Sequence, residues 1–180
     1  MLVLFETPAG FALFKSKGGK LEERDFAADF ATPELANKMV KLQGFMKFED
    51  TTEALAAATA ATEGKMGKQL KKFLKDNIIS KEVQDELAVS DAKVGQVIKE
   101  KLGIKCVHSA ATAELMRGIR SQITGLIAGL KQEDLNVMAL GLAHSLSRFK
   151  LKFSPDKVDT MIVQAISLLD DLDKELNTCV

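Results

Sequence analysis

Few side chains in this sequence have the types and spacing that chemistry needs. Cys106 and His108 alternate along Ile104-Lys-Cys-Val-His108 and would share one face of a strand. Two ligands fall short of the four that close a structural zinc site, and the chain holds only two cysteines and two histidines. A buried thiol beside a hydrogen-bonded imidazole is the expected arrangement. His144 and Ser145 are neighbours on a helix, about 100° apart around its axis, so they do not form a base–nucleophile pair by themselves. Asp170, Asp171 and Asp173 offer oxygen ligands of the kind a hard cation takes. They flank an apolar seam, where solvated carboxylates are expected anyway. No G-x-S-x-G elbow and no phosphate-cradling glycine loop occurs. No catalytic, cofactor-binding or metal-binding residue is therefore assigned. An enzyme using His144, Ser145 or the aspartates is the reading this leaves behind.

The charged residues are more suggestive. Lys68, Lys71, Lys72 and Lys75 fall at helical spacing and share a face. Such a face either contacts phosphate or is simply solvated. Arg148, Lys150, Lys152 and Lys157 cluster around a connector. With Arg117 and Arg120 they are the candidate contacts for RNA or an acidic partner. The 25 basic and 25 acidic residues cancel, which argues against a chain driven onto nucleic acid by net charge but allows a local patch. Tryptophan and tyrosine are absent, so stacking on single-stranded bases would rest on phenylalanine.

One stretch has no visible partner. In Ser154 to Leu176, Ser154 is placed to cap a helix and Pro155 fits its first position. Val158, Ile162, Ala165, Leu169, Leu172 and Leu176 then recur at steps of four and three, the spacing of a coiled-coil seam. Met161 and Leu168 widen it on one flank. An isolated helix of this length is marginal in water, so the stripe must pack on an earlier helix, on another chain or on a further segment. The sequence ends at Val180 with no return helix.

These residues are positioned by two kinds of structure. Residues 1–108 read as an α+β domain, a small sheet with flanking helices. Leu2–Glu6 and Phe11–Lys15 are apolar runs around Thr-Pro-Ala-Gly, which predicts a hairpin. Lys20–Arg24 reads as a third strand and Leu42–Phe48 as another. Strands are also expected at Glu86–Ser90 and Ile104–His108. Helices are expected from Thr32 to about Lys41, Asp50 to Thr62, Lys65 to Asn77, and Asp91 to Leu102 before Gly103. Asp25–Phe30 is ambiguous. Residues 109–180 read as helices only: Ala110–Leu130, one carrying Leu135 to Phe149, and the seam helix. Gly118 and Gly125, seven apart, imply either a close neighbour or a break. With two cysteines and no run near the ~18 apolar residues of a membrane span, a reducing compartment, cytosolic or nuclear, is expected.

Several motifs resemble the nucleolar Nop family. Met1-Leu-Val-Leu-Phe-Glu-Thr7, Thr52-Glu-Ala-Leu-Ala-Ala-Ala-Thr59, Glu63-Gly-Lys65, Lys68-Gln-Leu-Lys-Lys72 and Leu87-Ala-Val-Ser-Asp-Ala-Lys93 are similar to its N-terminal domain. Glu114 to Gln122, Gly141 to Arg148 and Leu151 to Asn177 are similar to the helices that follow. The resemblance implies a non-catalytic scaffold of box C/D small nucleolar ribonucleoproteins, in the nucleus and nucleolus, serving 2′-O-methylation and processing of ribosomal RNA. It implies that residues 1–108 dock fibrillarin, and that the seam pairs with the paralogous nucleolar protein fifty-six. A later Nop domain would contact box C/D snoRNA and the kink-turn-binding protein. Since the sequence stops within the first coiled-coil helix, a partial version of such a scaffold is expected. The alternative is a coiled-coil dimerising adaptor without an RNA role.

Overall fold

The computed structural model describes the backbone of residues 1–17, 24–152 and 155–178, and the side chains of these residues apart from 149–161, 173 and 175–178. The chain divides into two compact units, Met1–Leu142 and Ala143–Val180. In the first, five strands form one mixed sheet in the order β3-β2-β1-β4-β5. β1 (Leu2–Thr7) and β2 (Gly10–Ser16) make the expected hairpin, with Thr7 opposite Gly10. The Thr7 hydroxyl ties its turn, donating to the Gly10 carbonyl at 2.8 Å and accepting from the Ala9 N–H at 3.2 Å. β3 (Val40–Lys47) pairs antiparallel with β2, with a register shift at Leu13/Phe14 that leaves Gln43 as the extra residue. β4 (Leu87–Ala88) and β5 (Cys106–Val107) run parallel to β1 and to each other, each shorter than the apolar runs around them suggest.

Both faces of the hairpin are covered, which is why its strands are apolar at nearly every position rather than alternating. On one face lie Val3, Phe5, Ala12 and Phe14, packed with Phe30, Leu115, Met116, Ile119 and Ile123. These partners come from α1 (Phe26–Asp29) and its C-terminal neighbour Phe30, from α6 (Ala110–Ser121) and from α7 (Ile123–Leu126). On the other face Leu2, Leu4, Phe11 and Leu13 meet Phe48, Leu70, Phe73, Leu74, Val94 and Ile98. That layer is built from α3 (Thr51–Thr62), α4 (Lys68–Leu74) with a following π-turn (Lys75–Ile79), and α5 (Ala92–Leu102). Phe11 stacks on Phe73 at 6.2 Å and meets Phe48 edge-on at 5.1 Å, so one aromatic cluster joins β2, the start of α3 and α4.

Local chemistry sets most helix ends. Asp50 accepts from the Glu53 N–H at 2.8 Å, Asp91 from the Lys93 N–H at 2.8 Å, and Gly64 and Gly103 take left-handed backbone at the far ends of α3 and α5. Asp25–Phe30, ambiguous in the sequence, is one helical turn capped by Asp25, which receives the N–H groups of Ala27 and Ala28. α2 (Pro33–Met39) begins at Thr32-Pro33 as expected and passes directly into β3, two residues earlier than the sequence suggests. α4 begins at Lys68 rather than Lys65, because the backbone is extended at its capping Gly67. The strand expected over Lys20–Arg24 falls on residues 18–23, outside the described residues, and Arg24 is not in a strand. α8 (Gln132–Lys152) and α9 (Pro155–Thr178) complete the chain.

The helix expected over Ala110–Leu130 is two helices. α6 ends at Ser121, and Gln122 leaves the helical region with φ −118° and ψ 18°. Its side chain donates to the Phe30 carbonyl at 2.9 Å, so the break supplies a bond to the α1–α2 corner. The two glycines mark close approaches beside that break. A Cβ on Gly118 would lie 2.7 Å from Phe30 Cγ, and one on Gly125 would lie 2.9 Å from Pro33 Cβ. Gly118→Ala therefore forces Phe30 out of place, at a cost of about 1–3 kcal/mol for overpacking against a helix-propensity gain of about 1 kcal/mol. Urea denaturation followed by circular dichroism is expected to show Gly118→Ala destabilised in the native background and neutral or stabilised in Phe30→Ala. Additive effects of the two changes would show that the contact is not the constraint.

Candidate interaction surfaces

The seam helix is present, and its apolar side is open. α9 starts at Pro155, the first-turn position the sequence assigned to it. Ile162 is 51%, Leu169 66% and Leu172 48% exposed, and Ala165 is exposed as well. The side chains of Val158 and Leu176 lie outside the described residues, and so does the capping Ser154. Val163, Ile166 and Leu168 are exposed too. At about 100° per residue, the arc from Leu168 through Ile162 to Val163 covers about 220° of the helix. That is wider than an a/d seam, so one partner helix would cover only part of it.

The basic residues are already partly engaged. Arg117 Nη1 lies 3.1 Å from Glu114 Oε1 one turn earlier in α6. The Arg120 guanidinium sits 5.9 Å from the centre of the Phe5 ring, a cation–π contact that keeps its charge at the surface above the core. Arg148 is exposed on α8, in the second unit, while the side chains of Lys150, Lys152 and Lys157 lie outside the described residues. Lys68, Lys71, Lys72 and Lys75 all reach solvent.

The chemically suggestive residues do not converge. Cys106 is half-buried rather than buried, and desolvation pushes its thiol up, with Lys99 opposing. The His108 ring is held by the Val89 carbonyl, 3.1 Å from Nδ1. That fits a satisfied imidazole beside a structural thiol. His144 is exposed on α8 beside half-buried Ser145, and no hydrogen bond joins them. Asp170 and Asp171 are solvated on α9. Among the described residues no group of three His, Cys, Asp or Glu side chains is placed to hold a metal ion, and no helix is long and apolar enough to cross a membrane.

Residues 2–64, from β1 through the glycine that ends α3, match the NOP5NT (NUC127) domain. Across the whole chain, nucleolar protein 58 of Homo sapiens is 63% identical over 182 residues. The chain belongs to the nucleolar Nop family. Probable nucleolar protein 5-1 of Arabidopsis thaliana is 59% identical over 180 residues, covering 99% of the chain, and nucleolar protein 58 of Schizosaccharomyces pombe is 50% identical over 181 residues. The chain spans about a third of the length of these curated relatives, 34% of the human protein and 33% of the Arabidopsis one. All of them are named nucleolar proteins, which gives the nucleolus as the compartment. The NOP5NT match holds the hairpin, β3 and α3. The other half of the sheet's support, from α4 to α7, comes from beyond it.

One titratable group in this Nop-family domain escaped the sequence reading. Glu6 is the polar interruption of β1, and only that interruption marked it. The residue as a whole is exposed. Its flanks line a hollow of about 210 Å³ with Thr7, Pro8, Phe48, Ala54 and Ala57. Desolvation by these walls raises its pKa above the ordinary value of 4.5, and Asp91 raises it further. No cation pairs with it among the described residues. A carboxylate whose folded pKa is raised disfavours the folded state once it ionises. Glu6→Gln is expected to raise the thermal midpoint at pH 7, and the gain should vanish as pH falls below about 4. A gain that persists at pH 3 would show that charge is not its cause.

Proposed function

We infer that this chain is the N-terminal scaffold portion of a box C/D small nucleolar ribonucleoprotein protein, working in ribosome biogenesis without catalysing a reaction itself. The domain of residues 1–108 docks fibrillarin, the methyltransferase that modifies ribosomal RNA at the 2′-hydroxyl. α9 presents Val158, Ile162, Ala165, Leu169, Leu172 and Leu176 to the paralogous nucleolar protein fifty-six. Arg117, Arg120, Arg148, Lys150, Lys152 and Lys157 contact RNA or an acidic partner, and for Arg117 this means exchanging Glu114 for that partner. In the longer relatives, contact with box C/D snoRNA and the kink-turn-binding protein belongs to the part of the protein outside this chain.

The observation that carries this reading is identity of 50–63% sustained over essentially the whole chain, seam helix included, to proteins named nucleolar. The exposed apolar arc of α9 supports the pairing role: it leaves large aliphatic side chains in water that a partner helix would cover. A dimerising adaptor without an RNA role would use the same arc for self-association.

Calorimetric titration with cognate fibrillarin tests the first part. Saturable one-to-one binding is expected, unchanged by Leu169→Asp because that residue lies on the seam. No binding by a chain that circular dichroism shows to be folded would defeat the docking role. Mixed with the partner paralogue, the chain is expected to form a heteromeric complex that Leu169→Asp weakens at least tenfold, whereas a concentration-dependent homodimer by light scattering would favour the adaptor.

A further inference from the structure

The α4 segment carries a row of like charges: Lys71 and Lys72 suit its last turn, where the dipole favours cations, but no acid on the row balances their mutual repulsion. Lys68, Lys71, Lys72 and Lys75 occupy one face, and all four reach solvent. Each pair three or four residues apart on that face repels, and such like-charge pairs destabilise a helix. Lys68 opens the helix, where the dipole disfavours a cation, and the preceding Gly67 provides no side-chain cap. The first turn contains no acidic residue. Asp76 follows Lys72 by four residues but forms no ion pair with it. The π-turn that begins at Lys75 takes Asp76 out of the four-residue register, and its Ser80 N–H reaches the Lys75 carbonyl at 2.8 Å. An ordinary solvated face has interleaved acids, and this one does not.

The opposite face of the segment is fixed. Leu70, Phe73, Leu74 and Ile78 are buried in the sheet core. Asn77 locks the π-turn, donating to the Phe73 carbonyl at 3.0 Å and accepting from the Lys81 ammonium at 3.2 Å. The lysine row is thus held on a rigid support, and an anion from outside would offset the repulsion that water and salt leave unscreened. A local conflict of this sort, maintained by a well-packed core, marks a functional surface.

We propose that this lysine face is a docking surface for the sugar–phosphate backbone of double-stranded RNA. Four ammonium groups and no arginine make a row of point charges, the way lysine contacts phosphate. From Lys68 to Lys75 the row runs about 10 Å along the axis. Duplex DNA places one charge about every 1.7 Å and an RNA duplex is comparably dense, so the row faces several phosphates. Among the described side chains no phenylalanine is exposed, so the face has no stacking platform for single-stranded bases. The choice of RNA as the anion rests on the ribonucleoprotein reading above. The titration with fibrillarin and the RNA measurement are separate readouts, so either can fail alone.

The test is fluorescence anisotropy of a labelled 20-base-pair RNA duplex against the full chain over a potassium chloride series. The quadruple Lys→Gln variant at these four positions is expected to bind at least 100-fold more weakly at low salt. Its slope of log affinity against log salt should be shallower by about 3.6, about 0.9 for each of the four lysines. The quadruple Lys→Arg variant keeps the charge and should bind within a fewfold of the native chain. Lys99→Gln with Lys101→Gln on α5 should leave the slope unchanged. Thermal midpoints of the Lys→Gln chain at or above the native value would show that contact, not folding, was lost. A native slope in the quadruple Lys→Gln variant overturns the proposal, as does an equal loss per charge in the α5 pair. Binding of polyglutamate but not of RNA would also overturn it, pointing to an acidic protein.

Discussion

Everything in the first unit follows from the requirement to cover both faces of one hairpin. β1 and β2 place Val3, Phe5, Ala12 and Phe14 on one side and Leu2, Leu4, Phe11 and Leu13 on the other, all buried. A sheet apolar on both faces is stable in water only as the middle of three layers. Apolar burial is worth about 25 cal/mol per Å², so an uncovered face would be costly. That requirement recruits α3, α4 and α5 to one face, and α1, α6 and α7 to the other. The crowding it produces explains the smaller features: Gly118 is bare because Phe30 occupies its space, and α6 breaks at Gln122 where the chain turns around Phe30 and Pro33.

The surface of this unit reflects different demands. Arg120 lies over the Phe5 ring and Arg117 pairs with Glu114, so these cations already serve the fold. The α4 lysines have no such employment. α9, in the second unit, is the converse case, with large aliphatic side chains in solvent. Glu6 stands between, a strand carboxylate whose water has been thinned by the alanines of α3. These surfaces are suited to assembly, in keeping with the nucleolar relatives, whose sequences extend well past this chain.

Much of this was legible in the residues. The hairpin was written in two apolar runs around Thr7-Pro-Ala-Gly10, and α3 and α5 in their capping aspartates and terminal glycines. The α9 seam was written in steps of four and three. What was hidden depended on contacts between distant segments. The brevity of β4 and β5 follows from sheet pairing, not from the apolar runs they lie in. The break at Gln122 needs the Phe30 carbonyl as its partner. The π-turn needs Asn77 at Gly44, where a Cβ would lie 2.6 Å from the Asn77 Oδ1. Among the surface candidates, the apolar stripe of α9 was readable from periodicity, whereas its exposure and the engagement of Arg117 and Arg120 were not. The desolvation of Glu6 was equally hidden, because Phe48, Ala54 and Ala57 in its walls come from more than forty positions away.

The place of β1 in the sheet has a consequence for the order of events during synthesis. β1 is central, with β2 on one side and β4 on the other. The hairpin pairs through neighbouring residues and can close as soon as both strands emerge, within microseconds. The other edge of β1 has no mate until Leu87 and Ala88 have been made. Through that interval a ribosome-bound chain carries an apolar strand with free backbone donors and acceptors, the kind of edge that recruits other strands. That edge is closed only once β4 has been made, after α3 and α4 and before α5.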